Sequence, residues 1–105
     1  MMVSRQATEI DRERLQALIK EEQALFIERH PRSKELFERA KSHLIAGVPM
    51  NWMVKWASPY PVFVESANGA RFKDVDGIDY VDLCLGDTGA MCGHSPDPTA
   101  RALRE

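Results

Sequence analysis

PVFVESANGARFKDVDGIDYVDL, residues 61 to 83, is the stretch that decides the fold. Val62 to Glu65 is β-branched and aromatic, the composition of a strand. Asn68-Gly69 is a strong turn signal, and Ala70 to Lys73 returns as a second strand. Asp76-Gly77 makes the next turn, and Asp79 to Leu83 alternates Tyr80 and Asp82 against Val81 and Leu83. Three short strands joined by two tight turns predict an antiparallel meander.

On the N-terminal side the pattern is helical. Glu9 to Arg29 is rich in helix formers and free of Gly and Pro. Leu15, Leu18, Ile19, Leu25 and Phe26 form one stripe at spacings of three and four, broken only by Glu22. Thr8 or Asp11 can cap this helix, and Pro31 ends it near His30. Such a stripe must lie against something. Ser33 is the expected N-cap of a second helix, with Glu35 in its first turn and Leu36, Phe37, Ala40 and Leu44 as its buried face. Gly47 and Pro49 close it. Met50 to Pro61 then concentrates Trp52, Met53, Val54, Trp56 and Tyr60 among three prolines, which predicts an apolar loop pressed onto protein.

Beyond the strands, the loop Leu85 to Ser95 holds Gly86, Gly89 and Gly93. Ser95 is the expected cap of a last helix that has Pro96 at its first position and runs on to Glu105. The expected fold class is α+β: two N-terminal helices, an apolar loop, a three-stranded antiparallel meander and a truncated C-terminal helix. Residues 1–32 read as an amphipathic helical extension, and 33–105 as a unit whose sequence stops inside its last helix.

Composition bounds the function without naming it. The 105 residues are 44% hydrophobic and 29% charged, with 14 Lys and Arg against 16 Asp and Glu. No clustered basic surface favours nucleic acid, and no apolar run favours a membrane. No secretory leader pattern is visible, so Cys84 and Cys92 read as reduced thiols in a cytoplasmic protein.

Four constellations carry possible chemistry. Asp74 to Asp79 resembles a calcium loop, but its Gly comes too early and Leu85 stands where the bidentate Glu belongs, so a hairpin turn is the better reading. Cys92 and His94 lack a second ligand cluster, which favours packing roles over a metal site or a Cys/His catalytic pair. The glycines from Gly86 to Gly93 match no phosphate-binding pattern; they suit a sharp loop or a cleft-facing loop that admits a ligand. Trp52 and Trp56, four apart, suit core or interface packing.

Taken in order, Gly47, Pro61-Val62-Phe63-Val64, Gly69-Ala70, Asp74-Val75-Asp76-Gly77, Tyr80-Val81-Asp82, Gly93-His94 and Pro96 resemble the start of class-III aminotransferases. The branch containing glutamate-1-semialdehyde aminomutase is the nearest in pattern, and Ser33 to Ala40 resembles its opening helix. The resemblance implies a fold-type-I homodimer in which pyridoxal 5'-phosphate is bound through a lysine and acts on an amino acid or amine. It places that lysine and the other cofactor-binding residues beyond this chain, so Lys34, Lys41, Lys55 and Lys73 are not candidates and the chain alone is not expected to bind the cofactor. It makes Trp52 and Trp56 part of an interface or entrance loop, and the loop after the third strand substrate-proximal, with Thr88 and Gly89 flanking Asp87.

Asp87 stands where the aminomutase branch carries a substrate-side tryptophan, which favours a substrate with a basic or hydroxylated side; the alternative is an Asp that only caps its own loop. Val48-Pro49-Met50-Asn51-Trp52-Met53 replaces the branch's serine-and-arginine pairing, which favours a general aminotransferase over the aminomutase. The functions to separate are an enzyme segment inactive alone, an aminomutase-type isomerase segment, a small interaction module docking through the Leu15–Phe26 stripe, and a free-standing enzyme using Cys92 and His94.

Overall fold

The computed structural model describes residues 10–105. Helix α1 spans Arg12–Arg29, and Asp11 caps it by accepting the Arg14 backbone N–H at 2.9 Å. Thr8, the other expected cap, lies outside the described residues. The helix ends at His30 as Pro31 requires, and Pro31 opens α2, Pro31–Ala40, at the position where a missing N–H costs nothing. His30 thus sits at the elbow between the two helices.

Ser33 is not the N-cap of α2; it lies inside the first turn. The capping acceptor comes from 43 residues downstream: Asp76 takes the backbone N–H groups of Arg32 at 2.7 Å and Ser33 at 3.0 Å, and the Ser33 hydroxyl at 2.7 Å. Regular α-helix also stops earlier than expected, at Ala40. The chain continues through turns to Ile45–Gly47, where Ala46 (φ 58) and Gly47 (φ 73) are left-handed. Leu44, expected in the buried face, is 40% exposed. A second tight turn, Asn51–Lys55, occupies the apolar loop.

The meander is present: β1 Val64–Asn68, β2 Arg71–Asp74 and β3 Asp79–Val81, antiparallel in the order β1-β2-β3. β1 starts two residues later than its composition predicted. Asn68 pairs with Arg71, so Gly69 and Ala70 form the turn, and a register shift between Val64 and Ser66 bulges β1 at Glu65. Phe72 pairs with Tyr80, and their rings stack at 4.6 Å between centroids. The last helix, α3, covers only Asp97–Ala102 and ends before Glu105. Its N-cap is Pro96; Ser95 instead donates its hydroxyl to the Ala67 carbonyl at 2.8 Å, holding the approach to α3 on β1.

The core is largely polar. Among the described residues the buried apolar side chains are Val48 and Tyr60, whereas His30, Ser33 and Asp74 are buried polar ones. Asp74, fully buried, accepts the Asp76 and Ile78 N–H groups at 2.9 and 2.8 Å through Oδ1 and the Tyr80 hydroxyl at 2.9 Å through Oδ2. His30 Nδ1 faces the Phe26 carbonyl at 2.7 Å, and because a carbonyl only accepts, Nδ1 carries a proton. Its Nε2 lies 2.7 Å from the Tyr80 oxygen, and the Tyr60 hydroxyl donates to the His30 carbonyl at 3.1 Å. Ser33 Oγ also accepts the Phe63 N–H at 3.3 Å. This network locks the helix elbow onto the β2–β3 hairpin.

The stripe of α1 finds no cover among the described residues. No residue of α1 is buried; Leu15 is 47% and Ile19 46% exposed. Only Phe26, near the elbow, packs, stacking on His30 at 4.1 Å and meeting Tyr60 edge-on at 5.1 Å. A radius of gyration of 18.6 Å, against about 13 Å for a compact domain of this length, reflects the projecting helix.

Candidate functional site

A large apolar groove of ≈ 750 Å³ lies between the sheet and the chain from Leu44 to Val64. Val48, Met53, Trp56, Phe63 and Phe72 form apolar walls, and Asp82, Gly86 and His94 close one end. Pro49, Pro59 and Pro61 keep the apolar segment from forming a long regular helix; Met53 and Trp56 face the groove, while Met50, Trp52 and Val54 stay 40–48% exposed. A smaller cavity of ≈ 380 Å³, bordered by Phe26, Arg29, His30, Pro59 and Tyr80, lies against the elbow.

The polar end of the groove is built by the turn between β1 and β2. The Asp82 N–H donates to the Ala70 carbonyl at 2.8 Å, and His94 exchanges two backbone hydrogen bonds with Gly69, at 3.0 and 2.8 Å. Asp82 and His94, twelve apart in sequence, are thereby held against adjacent residues of one turn. The close approach requires glycine: a Cβ on Gly93 (φ +86) would sit 3.1 Å from the Gly69 Cα. The side chains meet at 2.6 Å, His94 Nε2 to Asp82 Oδ2. Asp82 Oδ1 accepts the N–H groups of Cys84 at 3.0 Å and Leu85 at 2.7 Å. The His94 hydrogen bond holds the Asp82 carboxyl below its ordinary range; partial desolvation opposes this, and the Leu85 and Cys84 N–H groups add to it. Asp82 is therefore an ionised acceptor, and Nε2 of His94 carries the proton between them.

Three further groups titrate away from their ordinary ranges near the elbow: Tyr60, raised by desolvation with the Asp76 charge adding to it, Tyr80 and Asp76. Desolvation raises the Tyr80 hydroxyl, the Asp74 hydrogen bond and charge add to it, and the result is about 12. For Asp76 desolvation acts upward, but hydrogen bonds from the Ser33 hydroxyl and the Arg32 and Ser33 N–H groups bring the carboxyl below its ordinary value.

The residues singled out from sequence are only partly brought together. Trp56 lines the groove and touches Trp52 edge-on at 5.6 Å, and both indoles are substantially exposed, so neither sits in a core. Asp87, Thr88 and Gly89 are exposed on the loop outside the groove; Gly86 is the loop residue that reaches its wall. Asp87 (φ 64) follows Leu85 (φ 52) and Gly86 (φ 60), three successive left-handed residues. The carboxylate that caps this loop is that of Asp82. Both cysteines are exposed, against the buried packing expected, and the partner of His94 is Asp82 rather than Cys92. Among the described residues no group of three or more His, Cys, Asp or Glu is placed to hold a metal ion, and no helix is long and apolar enough to cross a membrane.

Sequence reasoning missed Asp82–His94 and the His30–Asp74–Tyr80 network. The available signals were an Asp directly after a strand and a His after a glycine near the loop's end.

The chain's own residues do not fit pyridoxal phosphate. No lysine lines the groove or the elbow cavity, and the ionisable groups at the groove are a carboxylate and a histidine already paired to it; Lys73 borders a third concavity, of ≈ 290 Å³ on the sheet, beside Arg71 and Asp79. Lys41 is engaged with Glu38 at 2.8 Å and lies over the Phe37 ring, and Lys73 lies 3.8 Å from Asp79. A phosphate needs cationic or N–H donors. Here it would meet the Asp82 carboxylate.

Comparison with known proteins gives a consistent picture. No family model matches the chain. Glutamate-1-semialdehyde 2,1-aminomutase of Methanocaldococcus jannaschii is 45% identical over 74 residues, which is 70% of this chain and 17% of that protein. A crystal structure of a glutamate-1-semialdehyde aminomutase from Pseudomonas aeruginosa superposes with a TM-score of 0.84 at 41% identity, covering 90% of this chain and 21% of that one; a variant of it has been solved in complex with PMP. A β-phenylalanine aminotransferase from Variovorax paradoxus shares the fold alone, with a TM-score of 0.72 at 22% identity over 82% of this chain and 20% of its own. The chain thus spans roughly a fifth or less of the relatives it resembles. In sequence and in fold it matches the N-terminal part of class-III pyridoxal-phosphate aminotransferases of the aminomutase-like branch.

Proposed function

We propose that this chain serves as the N-terminal segment of a pyridoxal-phosphate-dependent enzyme that transfers an amino group between an amino acid or amine and a keto acid or aldehyde, and that it is inactive by itself. The observation that carries this reading is the 0.84 TM-score at 41% identity to an aminomutase of which this chain covers only 21%. The lysine-free groove supports the second half: it offers an apolar wall and a loop, but no lysine to hold the cofactor. In this reading residues 1–32 are an N-terminal extension whose helix α1 meets a neighbouring surface, and Trp52 and Trp56 lie at the interface or entrance. The complete enzyme is a cytoplasmic homodimer.

Asp87 places an exposed carboxylate on the loop and supports a donor with a basic or hydroxylated side, and hence transfer between two molecules. The names of the relatives support the isomerase instead. The two reactions differ in one requirement, since transfer needs a separate keto acceptor and isomerisation does not.

Incubating the chain with pyridoxal phosphate, reducing with borohydride and mapping lysines by mass spectrometry tests its inactivity alone. Scattered, substoichiometric labelling of surface lysines is expected. A single lysine modified stoichiometrically would overturn the reading. One observation favours the interaction module as a second reading, the exposed α1 stripe of Leu15, Leu18 and Ile19; saturable binding of the free chain to another protein through that stripe is its signature.

A further inference from the structure

We propose that Asp82 and His94 form a clamp that sets the position of the loop carrying Asp87, Thr88 and Gly89, making them positioning residues for the amino donor. The proposal rests on the reading of that loop as substrate-proximal. Residues 83–93 leave the sheet after Asp82 and return at His94, and these two residues are pinned side by side by Ala70 and Gly69. One carboxylate joins the loop's first turn, through the Cys84 and Leu85 N–H groups, to its last anchor, through His94 Nε2.

Beyond that base the loop has little to hold it. Leu83 is 92% and Met91 73% exposed, and the loop's remaining backbone hydrogen bonds join Gly89 to Gly86, Ala90 to Leu85 and Gly93 to Ala90. Leu85 and Asp87 nevertheless hold left-handed backbone, which a non-glycine residue keeps only where its surroundings over-determine it. The bond from Leu85 N–H to Asp82 supplies that restraint at the first of the three left-handed residues. Losing the clamp frees Leu85 to return to ordinary backbone angles and carries Asp87 with it.

The test has two arms. In this chain, amide exchange at Cys84, Leu85 and Ala90 is compared between the wild type and Asp82→Ala, Asp82→Asn, His94→Ala and His94→Gln. Loss of a charge-assisted hydrogen bond at the loop base is expected to speed loop exchange by about tenfold or more in both alanine variants, with the Ile78 amide of the neighbouring hairpin unchanged. Gln at 94 restores a donor near Nε2 and is expected to recover most of the protection. Asp82→Asn keeps the Oδ1 acceptor but loses the charge, and falls between. Unchanged loop exchange in Asp82→Ala, or equal loosening of loop and hairpin, overturns the clamp.

In the enzyme that carries this segment, the same alanine variants are expected to raise KM for the amine donor about tenfold while kcat changes less, with rescue by His94→Gln. Loop loosening with an unchanged KM refutes the positioning role. An enzyme inactive with every amine and amino acid tried defeats the functional reading instead, and leaves the exchange arm to decide the clamp.

Discussion

Replacing Asp74 by alanine removes, in one substitution, the acceptor for three donors: the Asp76 and Ile78 N–H groups and the Tyr80 hydroxyl. Hydrogen bonds to a charged group contribute about 1.5–3 kcal/mol each, and simple addition overstates the loss because water reaches the part-buried donors. Breaking a buried charged network by removing one member costs about 3–5 kcal/mol, which is the expected value here. Ordinary domains have about 5–15 kcal/mol in total, and among the described residues here only Val48 and Tyr60 are buried apolar side chains. Asp74→Ala is therefore expected to abolish a cooperative urea transition followed by far-UV circular dichroism. Asp74→Asn keeps an acceptor for both N–H groups and loses the charge facing Tyr80; about 1–3 kcal/mol, or about 1 M in urea midpoint, is expected. Tyr80→Phe should cost less in the Asp74→Asn background than in the wild type, because the two substitutions remove the same bond. A wild-type transition in Asp74→Ala, within about 1 kcal/mol, would refute the claim that a polar network holds the elbow to the hairpin.

The pH dependence has two limbs. Asp76 and Asp82 both titrate below their ordinary range, so their contribution is complete above the unfolded carboxylate value and is lost as pH falls through the lower folded values; acid unfolding is expected below about pH 4, and Asp76→Asn should flatten it. Tyr80 is raised to about 12 and Tyr60 is raised as well, so the stability they contribute is complete below the unfolded tyrosine value and declines as pH rises through the folded ones; absorbance titration should show ionisation displaced above the free-tyrosine range, with urea restoring the ordinary curve. Gly47→Ala places a Cβ 2.8 Å from Phe37 Cε2 at φ +73, and is expected to lower the melting stability by about 1–3 kcal/mol, where Gly69→Ala, with open space around its Cβ, shows only the backbone strain of about 1–2 kcal/mol.

The elements legible in the sequence are those set by local chemistry. Pro31 fixed the end of α1, the turn glycines fixed the meander, and the prolines between Pro49 and Pro61 fixed the irregular apolar segment. The start of α2 was misread because Ser33 is a good capping residue locally, whereas the acceptor that caps the helix is Asp76, supplied by the β2–β3 turn. Asp76 itself read only as half of a turn signal. Ser95 and the length of α3 failed similarly, since the Ser95 hydroxyl is engaged by the Ala67 carbonyl. The α1 stripe was legible as apolar, but period alone does not say what covers it, and among the described residues nothing does. At the candidate site the glycine-rich loop was visible. The clamp was not, because pairing Asp82 with His94 depends on Gly69 and Ala70 lying side by side beneath them. Cys92 drew attention by being next but one to His94 in sequence, although the chain turns it outward.

The most direct test of the account is a chimera in which this chain replaces the matching segment of the Pseudomonas aeruginosa aminomutase, assayed for cofactor binding and amino-group turnover. The account predicts a folded protein that binds pyridoxal phosphate and turns over, while the chain alone does neither. A chimera that folds but binds no cofactor, or cofactor-dependent turnover by the chain alone, would contradict it.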